Sequence, residues 1–227
     1  MTGMQKNFMY SGFVVIALCV LSAADSPAPS AAPPEPTEQT EPAPVDERVL
    51  QMRELIKEEK FQELLDQYQD EDFTKWPLST GEAFYQRGLA YRYLNEWTKA
   101  ERDLEMSVKF DPHEGFFWYN LAATYRQLKR DNAKTAEAYK NASEREDRTG
   151  WMPADAALKA VDLYLNQPDP DAALEVLESY SEEDLKNVST VWRIRILRAY
   201  GRVYAAQGRE AEAWEKFREA LRVERGQ

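Results

Sequence analysis

A chain of 227 residues is long enough for one large domain or two small ones, and its 40 acidic against 29 basic residues give a net charge of −11. That balance favours solubility and argues against sequence-independent binding to nucleic acid or to an anionic membrane. One cysteine and one histidine leave little room for disulfide, thiolate or histidine-rich metal chemistry.

In chain order, the first segment reads as a secretory signal peptide over residues 1–24. Lys6 is its only charge, an apolar run extends from Phe13 to Leu21, and Ser22, Ala23 and Ala24 close it with small residues. The run is shorter than the roughly 20 residues that span a bilayer, so cleavage after Ala24 is expected, with a retained anchor as the alternative. Cys19 follows Leu18 and is itself followed by apolar residues, which places it inside the apolar run and not at a lipidation site. Cleavage would remove Lys6 and Cys19, leaving a cysteine-free chain of 28 basic and 40 acidic residues, net −12. Residues 25–44 (DSPAPSAAPPEPTEQTEPAP) lack the large apolar side chains needed to repay the entropy of folding. They read as a Pro/Glu-rich disordered linker, either a semi-rigid tether or a passive leader.

From Val45 the pattern changes to helix-period stretches with short breaks, and a 34-residue repeat emerges. The clearest unit runs from Gly81 to Pro112, with Gly88, Tyr91, Ala100, Leu104 and Pro112 spaced along it. The third unit carries Trp118, Leu121, Ala122 and Tyr125, then Tyr139 and Ala142 after one inserted residue. In the fourth, Ala160, Leu163, Ala172 and Val176 fit. In the last, Gly201, Tyr204, Gly208, Ala213, Phe217 and Ala220 fit. A degenerate first unit contributes Met52, Leu55, Phe61, Leu64 and Tyr68.

This spacing resembles the tetratricopeptide repeat, which has a small residue at its eighth position, Tyr at the eleventh, Ala at the twentieth and Pro at the thirty-second. The resemblance covers residues 45–227, in units of about 45–78, 81–114, 115–149, 153–186 and 194–227. It implies an all-α fold, a right-handed superhelix (α-solenoid) of about five tetratricopeptide-like hairpins, each burying its core against its neighbours.

Nothing in the chain points to an enzyme or a cofactor. His113 stands in the inter-repeat segment Asp111-Pro112-His113-Glu114, where adjacent loop residues seldom converge on one metal. There is no glycine-rich phosphate loop, and the acidic run Asp66–Asp72 lacks the glycine and distal glutamate of a calcium loop. The resemblance implies instead a concave wall formed by the first helix of each unit, with inward side chains at the second, fifth, ninth and twelfth positions. Those are Asp46, Val49, Arg53 and Ile56; Glu82, Tyr85, Leu89 and Arg92; Phe116, Tyr119, Ala123 and Arg126; Ala154, Ala157, Val161 and Tyr164; and Arg195, Arg198, Arg202 and Ala205. Six arginines and four aromatic residues against two carboxylates describe a groove for an extended acidic or carboxylate-ended peptide. The peptide-binding set is Tyr85, Arg92, Phe116, Tyr119, Arg126, Tyr164, Arg195, Arg198 and Arg202, with the last three as the expected anchor for a negative group.

Trp214 and Leu221, seven residues apart on the last helix, form a second expected surface, a docking end for a partner or a second copy. The expected function is thus a non-enzymatic protein–protein interaction scaffold of a bacterial-type cell envelope, exported to the periplasm or beyond. The alternative is a structural or oligomerising subunit working through its outer faces and terminal hairpin.

Overall fold

The computed structural model describes residues 45–145, 148 and 150–226. The signal peptide read over residues 1–24 and the linker read over 25–44 lie outside them. The described residues form eleven α-helices and no strand: α1 Glu47–Lys57, α2 Phe61–Tyr68, α3 Thr80–Tyr93, α4 Trp97–Phe110, α5 Gly115–Gln127, α6 Asn132–Ser143, α7 Trp151–Asn166, α8 Pro170–Glu178, α9 Glu182–Asn187, α10 Thr190–Ala206 and α11 Glu210–Glu224. A single 3-10 turn, Phe73–Lys75, precedes α3. No helix among them is long and apolar enough to cross a membrane.

Five hairpins stack into an α-solenoid: α1/α2, α3/α4, α5/α6, α7/α8 and α10/α11. One backbone device closes all five. The amide of the residue entering the second helix donates to the carbonyl five residues earlier: Lys60 to Leu55, Glu96 to Tyr91, Arg130 to Tyr125, Asp169 to Tyr164 and Arg209 to Tyr204, at 2.8 to 3.0 Å. This is the Schellman closure, which satisfies the carbonyls left open at a helix end and needs a left-handed residue in the turn. Glu59, Asn95, Lys129 and Gly208 supply it in four of the five, with φ between 53° and 76°, and Pro168 stands there in the fourth hairpin with φ 21°. Side-chain caps then start several helices. Asp131 accepts from the amides of Ala133 and Lys134, Asp169 from Ala172, and Ser181 and Asp184 form a capping box on α9.

The acceptor in each closure is the eleventh residue of its unit, and this corrects the fourth unit. Its acceptor is Tyr164, so that unit begins at Ala154, one residue later than the sequence spacing suggested. Tyr164 and Ala173 are buried where Leu163 and Ala172 were expected, and the latter pair are only half-buried. The Tyr164 hydroxyl donates to Glu137 on α6 at 3.1 Å, as the Tyr125 hydroxyl donates to Glu105 on α4 at 2.8 Å. The sequence reading also missed α9, which fills the interval before the fifth hairpin and brings Val188 into the core.

Small residues set the closeness of each helix pair. A Cβ on Gly88 would meet Leu104 at 3.0 Å, and one on Gly201 would meet the Phe217 ring at 2.5 Å. The apolar core divides on α4. Ala100 packs with the cluster built from α1 to α3, and Leu104, one turn on, packs with the cluster that continues to Tyr200 and Val203 on α10. Each hairpin shares its buried surface with the next, so none is a free-standing unit.

Candidate peptide-binding face

The first helices α1, α3, α5, α7 and α10 run side by side, and each adjacent pair is joined by polar side chains. Between α1 and α3, Arg53 forks onto Glu82, with Nη2 to Oε2 at 2.5 Å, and Gln86 donates to Glu82 at 3.2 Å. Between α3 and α5, Asn120 donates to the Tyr85 hydroxyl at 2.9 Å and accepts from Arg92. The Tyr85 ring stacks on Phe117 with centroids 4.3 Å apart, and burial pushes its hydroxyl well above the usual tyrosine range.

Between α5 and α7, the Tyr119 hydroxyl donates to Asp155 at 2.7 Å and accepts from Lys159 at 2.6 Å. Burial pulls the Lys159 amine down, but its bonds to Asp155 and Tyr119 hold it above the usual lysine value. Between α7 and α10, Arg202 donates to Asp162 at 2.7 Å. Asp155 and Asp162 thus take the second and ninth inward positions of α7 once that unit is displaced by one residue, and Lys159 joins them through its bonds to Asp155 and Tyr119. The positions read from sequence as inward on α7, Ala154, Ala157, Val161 and Tyr164, are buried in the core. Tyr164 is accordingly withdrawn from the groove.

Most inward charges thus have a partner within the chain. Arg92 is committed to Asn120, Arg202 to Asp162, and Arg198 to Glu224 on α11 at 3.0 Å. The pairs of Arg198 and Arg202 are half exposed, a setting in which an ion pair contributes about 0–1 kcal/mol and exchanges readily. Arg195 has no carboxylate partner among the described residues and lies over the Trp192 ring at 4.3 Å. Arg126 is exposed with no partner among the described residues, and with Ala123, Gln127, Tyr139 and Lys159 it lines a cleft of about 200 Å3.

Two large rings stand out from this face near the start of α5 and α7. Phe116 is 51% exposed and Trp151 55%. Together with His113, Met152 and Pro153 they line a mainly apolar cleft of about 280 Å3, and the Trp151 ring meets Tyr119 edge-on at 5.9 Å. Trp151 escaped the sequence reading because it precedes the repeat frame. His113 is exposed, and no group of three metal-capable side chains occurs among the described residues. At the far end, Trp214 is 66% and Leu221 45% exposed on α11.

No family model matches the chain. Tetratricopeptide repeat protein 37 of Xenopus laevis is 26% identical over 196 residues, covering 79% of this chain; the chain spans 12% of that relative's length. Among solved structures, one of MamA superposes with a TM-score of 0.51 at 20% identity, covering 73% of this chain and 85% of MamA. A second MamA structure gives 0.53 at 18%, covering 79% and 91%. BtubC from P. vanneervenii gives 0.51 at 18%, covering 79% and 76%. In fold and in repeat pattern the chain is an α-solenoid of tetratricopeptide-like hairpins.

Proposed function

We propose that the protein is a non-enzymatic scaffold that holds an extended, acidic or carboxylate-bearing segment of a protein partner along its first-helix face. The observation that carries this is Arg126, an exposed guanidinium with no anionic partner among the described residues, in a cleft beside Lys159 and Tyr139. A planar guanidinium next to aromatic surface suits a carboxylate carried on an apolar or aromatic backbone segment. Phe116 and Trp151 offer flat apolar contact at low entropic cost, and Arg195 with the exchangeable pairs of Arg198 and Arg202 offers further positive charge. The leader read over residues 1–24 supports an exported location, periplasmic or secreted, so the partner would belong to the cell envelope.

The test is fluorescence anisotropy with a labelled peptide rich in glutamate and phenylalanine, beside its glutamine isostere. The acidic peptide should bind, more weakly at high salt, and the Arg126→Ala/Arg195→Ala variant should lose that binding with an unchanged melting temperature. Equal binding of the two peptides, or an unaffected variant, sinks the reading.

The exposure of Trp214 and Leu221 favours a second reading, an oligomerising subunit that works through its terminal hairpin.

A further inference from the structure

The two outward-facing ends of the described solenoid carry opposite charge. Within the chain, α4 shows how one hairpin receives the next. Glu101 accepts a bidentate pair from Arg130, at 2.8 and 2.6 Å, and Glu105 accepts from Lys134 at 2.8 Å and from the Tyr125 hydroxyl at 2.8 Å. Val108, on the same face, is buried by the hairpin that follows. The receiving face of α4 is therefore acidic and apolar, and what docks on it is basic.

On α11 the same repeat positions, counted from Ala213 as the counterpart of Ala100, hold Trp214, Arg218 and Leu221. These three are exposed, and no other described helix packs over them. Arg218 and Arg222 share the single carboxylate of Glu215, at 2.8 and 3.4 Å, and Arg225 has no acidic partner among the described residues. This receiving face is basic and apolar, the reverse of α4, so it calls for an acidic hairpin.

The first hairpin is such a hairpin. Its outer side, marked by the Gln51–Gln67 bond of 3.1 Å between α1 and α2, presents Glu47, Leu50 and Glu54 from α1 and Glu63 from α2, all exposed. Glu47 and Glu63 form no ion pair among the described residues, and Glu54 has only Lys57, in a solvent-exposed pair at 3.3 Å. The basic groups nearby, Arg48 and Lys60, are taken by Asp46 and Glu58.

We propose that the occupant of the α11 face is the α1/α2 hairpin of a second copy, which continues the helical stack from one molecule into the next. The contact joins different surfaces of identical chains, so it is head-to-tail and propagates from copy to copy in place of a two-fold dimer. It deepens the oligomerising reading above and stands independently of the peptide groove.

The experiment is sedimentation velocity on the chain over a broad concentration range, at about 0.1 M and about 1 M salt, where the screening length falls from roughly 10 Å to roughly 3 Å. A concentration-dependent ladder of species that weakens at high salt is expected. Arg218→Glu/Arg222→Glu should weaken association by about tenfold or more, as should Glu47→Lys/Glu63→Lys. An equimolar mixture of the two variants should recover association, because one junction is unaltered and the other pairs reversed charges, which excludes misfolding as the cause of the loss. A strict monomer at all concentrations overturns both this proposal and the oligomerising reading. A closed dimer lost with Trp214→Glu but indifferent to Glu47→Lys/Glu63→Lys overturns the head-to-tail pairing alone.

Discussion

Arg87 on α3 and Asp103 on α4 form a bidentate ion pair, at 2.6 and 3.0 Å, with side chains only 8% and 4% exposed. The same guanidinium donates to the carbonyls of Tyr68 and Glu71, each at 2.9 Å, and lies 4.3 Å from the Phe73 ring centroid. One side chain thus ties the end of the first hairpin to both helices of the second. Removing one partner of a buried pair strands a charge out of water. Asp103→Ala should therefore cost about 3–5 kcal/mol by urea denaturation. Arg87→Met with Asp103→Leu should cost less than either single truncation predicts, because no charge is left unmatched. A loss below about 1 kcal/mol for Asp103→Ala would show that the pair does not hold the junction.

This node also marks where sequence reasoning stopped. An arginine and an aspartate sixteen residues apart on two amphipathic helices look like solvated charges, and only the stacking of hairpins removes them from water. The repeat itself was legible because Gly88, Tyr91, Ala100 and Leu104 each answer a local steric demand. The fourth unit was harder. At the twentieth position Ala172 and Ala173 satisfy the rule in two adjacent frames, Ala160 at the eighth favours the frame that is not adopted, and the Asp169–Tyr164 backbone bond selects the other, which puts Val161 there. The inward face of α7 was misread for that reason alone. On the other inward helices the sequence did not tell which arginines are already paired, since the partners of Arg198 and Arg202 lie 26 and 40 residues away.

The hairpin turns yield a second prediction. Asn95 and Lys129 occupy the left-handed position at which the fifth hairpin uses Gly208. A Cβ costs about 1–2 kcal/mol there, less for asparagine, whose side chain tolerates the region. Lys129→Gly should raise stability by up to about 1 kcal/mol, and Gly208→Ala should lower it by a similar amount, although nothing lies within 4 Å of the added methyl. Thermal denaturation of the two variants checks this. Equal effects of the same sign would mean that contacts, not backbone conformation, set the turns.

Stability should fall on the alkaline side. Burial raises the hydroxyls of Tyr85, Tyr164, Tyr180 and Tyr200 above the usual range, and raises Tyr125 to about 12. In the unfolded chain tyrosine ionises near 10. A folded value above the unfolded one gives stability that is complete below about pH 10 and is lost as pH rises from there through the folded value. The melting temperature should therefore decline steeply above about pH 10, with tyrosine absorbance changing together with the loss of helix. Tyr125→Phe should flatten part of that decline. On the acid side, burial raises the Glu105 carboxyl but the bonds from Lys134 and Tyr125 lower it further, to a net depression. Its contribution is present above about pH 4.3 and disappears as pH falls. Ionisation of these tyrosines in the intact fold near pH 10 would refute the assignment.

Tyr164 and Arg126 separate framework from binding face in one experiment. Tyr164 is buried with its hydroxyl on Glu137, so Tyr164→Phe should lower stability by about 0.5–1.5 kcal/mol and leave the affinity for an acidic peptide unchanged. Arg126 touches no carboxylate, so Arg126→Ala should leave stability within about 0.5 kcal/mol and reduce that affinity. The two substitutions should add without coupling, because Tyr164 is buried against Glu137 on α6, Arg126 is exposed, and the two share no hydrogen-bond partner. Should Tyr164→Phe weaken peptide binding at unchanged stability, its hydroxyl would have to face the groove. The fourth hairpin would then stand one residue earlier, as its alanine spacing first suggested, and Asp155, Lys159 and Asp162 would have to leave the inward wall.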